Sequence, residues 1–279
     1  MKTLMIAGGG TGGHIYPAIA IAREYVARDA SRRVVFVGTE KGLEKTIVPK
    51  AGFPLEFVNV GGLKGKGGVD LLRNLARLPL GFLDAWRAVG RHQPSVVLGV
   101  GGYSSGPVLV AARLRRIPTI IHEANAFPGL ANRVVARWVT AVAVAFKEAL
   151  PRMKRPDGVV TGNPIRAEFF AANRQLPTAN SKKRLLIFGG SQGSRILNDT
   201  MSGALLFLAR LKDTLDIVHQ TGPNELEKVK KAYQQSAFAH ARVVPYLDPM
   251  ADELAAADLV VSRAGAMTVG ELSAVGRAA

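Results

Sequence analysis

The chain has 279 residues, 48% hydrophobic and 21% charged, with a formal net charge of +16 and no cysteine. That length accommodates two domains and that composition excludes a disordered tail, while the lack of cysteine excludes disulfides, thiolate nucleophiles and cysteine-ligated metal or iron–sulfur sites. The basic excess requires an anionic partner, whether nucleic acid, a phosphorylated substrate or an acidic membrane surface.

In chain order, the first predicted strand is Leu4 to Ala7, which meets Gly8-Gly9-Gly10 after too few apolar residues for the core of a signal peptide. The mature protein is therefore expected to start here. A helix is predicted over 17–28, opened by Pro17, whose missing N–H a first turn tolerates. Strands follow at Val34–Val37, Val96–Gly99 and Thr119–His122, with a helix over 106–115. The longest uncharged stretch, Val96 to Ala112, is too broken by glycine, serine and Pro107 to be a membrane-spanning helix. The pattern starts afresh at Leu185–Phe188, with a helix over 195–210 and strands at Leu215–Val218 and Leu259–Val261. Such alternation predicts an α/β protein of two doubly wound, Rossmann-like domains with parallel strands.

Turn signals in Thr161-Gly162-Asn163-Pro164 and the polar segment Asn173 to Lys183 place the boundary near residue 162. Residues 1–162 carry 23 basic against 10 acidic side chains, a balance of +13, and residues 163–279 carry 14 against 11, or +3. The last periodic segment, Thr268 to Val275, ends at Gly276-Arg277-Ala278-Ala279 with no strand after it, so the second domain is expected to be incomplete.

Three glycine-rich segments each follow an apolar strand and precede a helix: Gly8 to His14, Gly99 to Pro107, and Gly189 to Ser194. Backbone N–H groups at such turns approach anions closely. The first segment satisfies G-x-G-x-x-G, and Glu40 falls where a dinucleotide fold puts its ribose-binding acid, so a nicotinamide-dependent redox enzyme is one alternative. Three anion-competent turns exceed what one dinucleotide needs. Ligands of doubly wound sheets bind beyond the strand carboxyl ends, so two such domains facing each other would make a cleft for a phosphorylated substrate. A later segment, Ser262 to Glu271, runs from a strand end through small residues into a helix start suited to a diphosphate, with Glu271 available to ribose hydroxyls or simply solvated. No Asp-x-Asp occurs, so no metal clamp is indicated and a cation such as Arg166 is left to neutralise a leaving group.

Seven ordered segments carry a family resemblance: GGGTGGH at 8–14, GLKGKG at 62–67, VLGVGGYSSGP at 97–107, HEAN at 122–125, GNPIR at 162–166, GGSQGSRILN at 189–198 and SRAGAMTVGEL at 262–272. With them the chain resembles the family 28 glycosyltransferases of the MurG type, bacterial N-acetylglucosaminyltransferases that convert lipid I to lipid II in peptidoglycan synthesis. The resemblance implies a GT-B fold, UDP-N-acetylglucosamine held mostly by the second domain, and an inverting transfer without metal or cofactor. The acceptor it implies is the C4 hydroxyl of MurNAc in a polyprenyl-diphosphate-linked pentapeptide. It also implies a peripheral seat on the cytoplasmic face of the inner membrane, and no nucleic-acid partner. Carried over by position, the implied donor contacts are Thr11, Gly12 and Gly13 in the first loop, Asn125, Arg166 and Ser191, and Tyr103 of the second loop is a further implied substrate-binding residue. Leu247 matches the position whose backbone meets uracil, and Ala266, Met267, Thr268, Val269, Gly270 and Glu271 match the diphosphate- and ribose-binding segment, Glu271 being the ribose ligand. Three departures stand out: Ala124 replaces the family's usual Gln, Gly270 replaces a Ser- or Thr-like residue, and the chain ends before the family's donor-sugar segment and terminal helix.

Inverting transfer needs a base for the acceptor hydroxyl, and His14 is the candidate because it sits before a helix amino terminus whose partial positive charge favours the neutral ring. Its alternative role is to cap the loop or orient the acceptor. His122 is expected to organise its loop with Glu123 as partner, His219 only ends a strand, and no His/Asp/Glu spacing suggests a metal site. Residues 69–91 combine Leu71, Leu72, Leu75, Leu78, Leu80, Phe82, Leu83 and Trp86 with Arg73, Arg77, Arg87 and Arg91, just after Lys64 and Lys66. That is either an apolar face rimmed by cations for an anionic bilayer or the core face of a crossover helix. A nucleic-acid-binding module fits less well, because aromatics are only 6% and interleave with no basic block.

Overall fold

A computed structural model describes residues 2–60, 78–172 and 182–279. Its contacts divide the chain into two compact units, Met1–Arg166 and Ala167–Ala279. The GLKGKG segment with Lys64 and Lys66, together with Leu71, Leu72, Arg73, Leu75 and Arg77, lies outside the described residues, as does most of the polar stretch after Ala172.

The first unit runs β1 (Thr3–Gly8), α1 (Gly12–Ala27), β2 (Arg33–Gly38), α2 (Glu44–Lys50), β3 (Leu55–Phe57), α3 (Leu78–His92), β4 (Val96–Gly101), α4 (Ser105–Leu114), β5 (Thr119–Glu123), α5 (Leu130–Val135), β6 (Ala141–Val144), α6 (Ala149–Met153) and β7 (Val159–Val160). Its strands form one parallel sheet in the order β3-β2-β1-β4-β5-β6-β7. Leu4, Ile6, Val34 and Phe36 pack on one face under Ile15, Ala18, Ile19 and Ala22 of α1. Met5, Ala7, Val35 and Val37 pack on the other, with Ala85 and Val89 of α3 and Val108 to Ala112 of α4. Side chains alternate across a strand, so burial on both faces demands the unbroken apolar runs seen in the sequence.

α1 begins at Gly12, inside the glycine loop, rather than near Pro17. The Thr11 carbonyl accepts the N–H groups of His14 at 3.1 Å and Ile15 at 3.3 Å, which starts the helix early. Pro17 then costs one bond, to the Gly13 carbonyl, and the helix absorbs it because its apolar face is fixed against the sheet. His14 consequently sits in the first helical turn and not before it.

The second unit contains α7 (Ala167–Ala172), β8 (Lys183–Phe188), α8 (Arg195–Leu208), β9 (Leu215–Gln220), α9 (Leu226–Gln234), β10 (Arg242–Val244), α10 (Met250–Ala256), β11 (Leu259–Ser262) and α11 (Ala266–Val275). The strands are parallel in the order β10-β9-β8-β11. In each sheet the first strand is flanked on one side by the next in sequence and on the other by a later one. β1 and β4, and likewise β8 and β11, thus straddle a topological switch point, where chain connections leave in opposite directions and open a crevice.

The structural division falls after Arg166, so residues 163–166, assigned from sequence to the second domain, group with the first. Two contacts hold them there: Asn163 Nδ2 donates to the Ala124 carbonyl at 3.1 Å, and the Arg166 guanidinium stacks 4.3 Å over the Tyr16 ring; just before them, His122 Nε2 lies 3.2 Å from the Gly162 carbonyl. No described helix is long and apolar enough to cross a membrane, and among the described residues no group of three His, Cys, Asp or Glu stands close enough to hold a metal ion.

Candidate functional site

The first and second glycine loops leave β1 and β4, the strands on either side of the first switch point. They pack backbone to backbone: Gly9 N–H donates to the Gly101 carbonyl at 3.3 Å. A Cβ on Gly102, whose φ is +87°, would lie 2.5 Å from the Gly9 carbonyl oxygen, so no side chain is admitted there. His14 stands in this crevice, half-buried, its Nδ1 3.2 Å from the Gly9 carbonyl. A carbonyl only accepts, so in the neutral ring Nδ1 carries the hydrogen and Nε2 keeps its lone pair. Nε2 is the atom nearest to Gly101, 3.0 Å from where a Cβ would stand. Thr11 and Gly13 are exposed and Gly12 half-buried in the same loop, and Tyr103 is exposed in the partner loop. Arg166 reaches α1 through its stack on Tyr16. The crevice therefore gathers Thr11, Gly12, Gly13 and His14, with Tyr103 on the partner loop and Arg166 on Tyr16 of α1.

Asn125 is held by Glu123, a buried carboxylate at the end of β5. Oε1 accepts the Asn125 N–H at 2.9 Å and Nδ2 at 3.0 Å, while Oε2 accepts the Gly129 N–H at 3.0 Å and Asn132 Nδ2 at 2.9 Å. Asn132 Nδ2 is in turn 3.6 Å from the Cβ position of Gly101. His122 thus does not pair with Glu123 as expected. The carboxylate is already saturated by amide donors, and the imidazole turns to Gly162 instead, where burial lowers its pKa below the usual histidine value. Glu40, the acid of the dinucleotide alternative, is exposed in a turn, and the carboxylate against the first loop is Glu44, which accepts the Gly10 N–H at 2.7 Å.

In the second unit, Gly189, Gly190, Arg263, Ala264, Gly265 and Thr268 line a cavity of about 300 Å³ at the β8/β11 switch point. Ser191 is exposed on the β8 loop beside it. Ala266, Met267, Thr268, Val269 and Gly270 form the first turns of α11, with Val269 exposed and Glu271 half-buried one turn further in. Sequence reasoning passed over Gln220, at the end of β9. Its Nε2 donates to the Gly190 carbonyl at 2.9 Å and its Oε1 accepts the Leu247 N–H at 2.9 Å. One buried carboxamide therefore ties the Gly189–Ser194 loop to the Leu247 turn. The Leu247 side chain is buried and its N–H engaged. A polar residue closing an apolar strand was the available signal for Gln220.

Behind these loops, His219 Nε2 is 3.1 Å from Asn198 Oδ1 and Nδ1 3.1 Å from the Tyr233 hydroxyl, while Asn198 Nδ2 donates to the Thr221 carbonyl at 2.9 Å. Burial pushes His219 down to about 4. The chain of bonds supports the third glycine loop directly, because Gly193, at φ +74°, would place a Cβ 1.9 Å from the Thr221 carbonyl oxygen.

The first unit also carries an apolar surface. Phe82 and Trp86 of α3 pack half-buried against the core, whereas Leu80 and Leu83 are exposed. Leu130, Val134 and Trp138 form an exposed stripe along and just past α5, with exposed Phe127 before it. Arg152 stacks on Phe127 at 4.7 Å and Arg133 at 5.5 Å. Next to Trp138 is a cavity of about 690 Å³ lined by Leu114, Val110, Arg113 and Arg137 among others.

Residues 4–144 match the model described as "Glycosyltransferase family 28 N-terminal domain" and residues 184–279 the "Glycosyltransferase family 28 C-terminal domain". The chain belongs to glycosyltransferase family 28. Its family 28 relatives include the UDP-N-acetylglucosamine–N-acetylmuramyl-(pentapeptide) pyrophosphoryl-undecaprenol N-acetylglucosamine transferase of Myxococcus xanthus, 50% identical over 273 residues that make up 98% of this chain and 71% of that protein. The enzyme of the same name from Syntrophotalea carbinolica is 45% identical over 279 residues, 99% of this chain and 76% of that protein. The crystal structure of Acinetobacter baumannii MurG superposes with a TM-score of 0.73 at 29% identity, covering 99% of this chain and 77% of that one. UDP-GlcNAc 2-epimerase from Neisseria meningitidis, at 14% identity and a TM-score of 0.66 over 99% of this chain and 81% of that one, shares the fold alone. The two Rossmann-like α/β units are those of the GT-B class.

Proposed function

We propose that this family 28 chain transfers N-acetylglucosamine from UDP-N-acetylglucosamine to the C4 hydroxyl of MurNAc in undecaprenyl-diphosphoryl-MurNAc-pentapeptide, lipid I, giving lipid II for peptidoglycan synthesis. The observation that carries the reading is 50% identity along 98% of the chain to a protein named for that transfer. In the proposed step the acceptor C4 oxygen attacks C1 of the donor sugar, its proton passes to His14 Nε2, and the C1–O bond to UDP breaks on the opposite face, inverting C1. The Nδ1 bond to Gly9 supports this role by leaving Nε2 bare in the crevice. On the donor side, the cavity lined by Gly190, Arg263 and Thr268 suits a diphosphate, and Ser191, the Ala266–Gly270 turns, Glu271 and the Leu247 backbone are assigned to phosphate, ribose and uracil. Thr11, Gly12, Gly13, Tyr103, Asn125 and Arg166 are assigned to the substrate from the first unit.

The redox alternative loses its support, since the Gly10 N–H of the first loop is taken by Glu44 and Glu40 is exposed. The Phe127–Leu130–Val134–Trp138 stripe, with Arg113, Arg133, Arg137 and Arg152 beside it, and the exposed Leu80 and Leu83 of α3 are assigned to an anionic membrane surface. That assignment supports a peripheral seat on the cytoplasmic leaflet, the side proposed for a polyprenyl-diphosphate acceptor.

The test is ligand-dependent melting together with transfer of labelled N-acetylglucosamine to a lipid I analogue. UDP-N-acetylglucosamine is expected to raise the melting temperature and NAD to leave it unchanged. His14→Ala is expected to keep the UDP-N-acetylglucosamine shift and to lose turnover by about 10²–10⁴-fold. Stabilisation by NAD alone would overturn the reading, and near-normal turnover in His14→Ala would overturn the base assignment.

A further inference from the structure

Glu44 is 1% exposed and, among the described residues, has no cation among its hydrogen-bond partners. Its Oε1 accepts the Thr39 N–H at 2.8 Å and the Thr39 hydroxyl at 2.9 Å, and its Oε2 accepts the Gly10 N–H at 2.7 Å. The sequence clears space for it. A Cβ on Gly9, Gly38 or Gly42 would come within 2.3, 2.5 and 1.9 Å of its side-chain atoms. Removing a carboxylate from water without a counter-charge is costly, so its position asks for a reason beyond packing.

The Gly10 N–H and the Gly9 carbonyl are opposite ends of one peptide group, and in a trans peptide they point in opposite directions. One end is held by Glu44 at 2.7 Å and the other by His14 Nδ1 at 3.2 Å. We propose that Glu44 is a positioning residue for His14, acting through the Gly9–Gly10 peptide: carboxylate, peptide N–H, peptide carbonyl and imidazole form a single line of hydrogen bonds.

Its negative charge polarises the peptide and strengthens the carbonyl as an acceptor, as hydrogen bonds in a chain do for one another. A stronger acceptor at Gly9 fixes the Nδ1–H tautomer and keeps the Nε2 lone pair in the crevice. The carboxylate never touches the substrate. It does the work that a directly bonded carboxylate does for a catalytic histidine, with a peptide group interposed. Gly102 leaves room for that carbonyl, since a Cβ there would stand 2.5 Å from its oxygen.

The inference rests on the reading of His14 as base, and the two fail separately. Imidazole ¹⁵N spectra of the whole chain distinguish pyrrole-type from pyridine-type nitrogen at each ring position, and in the wild type His14 Nδ1 is expected to be pyrrole-type. In Glu44→Gln the neutral amide turns a donor toward either Thr39 or Gly10, and the Nδ1–H to Nε2–H ratio is expected to fall about fivefold, the difference between a charge-assisted and an ordinary bond. Transfer by Glu44→Gln is expected to lose kcat with the donor KM unchanged. An Nε2–H tautomer in the wild type, or an unaltered ratio in a cooperatively melting Glu44→Gln, overturns the proposal. If Glu44→Gln does not fold, Glu44→Asp, which draws the charge back from Gly10, is read in the same way. Retained turnover in His14→Ala would sink the base assignment while leaving the tautomer measurement as it stands.

Discussion

Acid sensitivity of the second unit follows from His219. Its ring is fully buried between Asn198 Oδ1 and the Tyr233 hydroxyl. Asn198 spends its Nδ2 on the Thr221 carbonyl, so its Oδ1 accepts and Nε2 of His219 carries the hydrogen, leaving Nδ1 to accept from Tyr233. A second proton would have to enter at Nδ1, against a hydroxyl donor and without water. Burial of the ring lowers the folded-state value to about 4 from 6.5. In the window between those values the unfolded chain holds a proton that the folded chain does not, so stability is present in full above the window and is lost as pH falls through it. At about 1.4 kcal/mol per pH unit, the loss is roughly 2 kcal/mol by about pH 5 and roughly 3 kcal/mol by about pH 4.

Chemical denaturation of the wild type and of His219→Gln, followed over this range by a probe in the second unit, isolates the term. The difference between the two is expected to shrink as pH falls, because the glutamine variant has nothing to protonate. Carboxylates remain ionised over the upper half of the window and do not contaminate it. A wild-type minus variant difference that stays constant to within about 0.5 kcal/mol down to about pH 5 would refute the argument. Since the network ends on the Thr221 carbonyl, against which Gly193 packs, the same acid step is expected to weaken UDP binding before global unfolding.

Gly193→Ala is expected to destabilise the second unit by at least about 1–2 kcal/mol from its positive φ alone and to weaken UDP binding as Thr221 is pushed back. Urea denaturation and a UDP titration check both, and an unchanged titration would dissociate the loop from the donor. Glu123→Ala leaves the Gly129 N–H and Asn132 Nδ2 without their acceptor, and a loss of about 2–4 kcal/mol is expected by denaturation, with Glu123→Gln recovering part of it. Leu130→Glu puts a charge in the middle of the exposed stripe and is expected to reduce cosedimentation with vesicles rich in anionic lipid about tenfold or more, the value of one buried leucine. Unchanged cosedimentation would remove α5 from the membrane face.

The alternation of strands and helices was legible because both sheets are buried on both faces, so β1, β2 and β8 write their apolar runs without interruption. The glycine loops were legible for a related reason: contacts such as Gly102 on Gly9 and Gly193 on Thr221 leave no room for a side chain. What stayed hidden acts across long sequence separations. Glu44 is one of two glutamates in the polar stretch after β2, and only the folded β2–α2 turn carries it behind Gly10. Gln220 joins two loops that are distant in sequence. Within 69–91, Leu80 and Leu83 are exposed while Phe82 and Trp86 are largely inward, and a further exposed stripe, Phe127, Leu130, Val134 and Trp138, lies outside the segment singled out from the sequence. A helix as short as Leu130–Val135 offers too little periodicity to announce its outer face.

The two switch points share one backbone design and differ in the charge placed against it. At the first, the Gly10 N–H is already satisfied by the Glu44 carboxylate, so a phosphate brought to that part of the loop would meet a negative charge and a lost donor. At the second, the guanidinium of Arg263 lies 3.3 Å from the Cβ position of Gly190, so a phosphate there would meet a cation. Coulomb energy between a carboxylate and a phosphate a few ångströms apart is of order several kcal/mol at a partly buried site. That is enough to separate roles between loops of near-identical glycine pattern. The G-x-G-x-x-G spacing by itself therefore predicts a turn that permits anion binding, and the residue behind the turn decides whether an anion is welcome. On the proposed function, that difference assigns the nucleotide diphosphate to the second unit, while the Gly10 end of the first loop serves to hold His14.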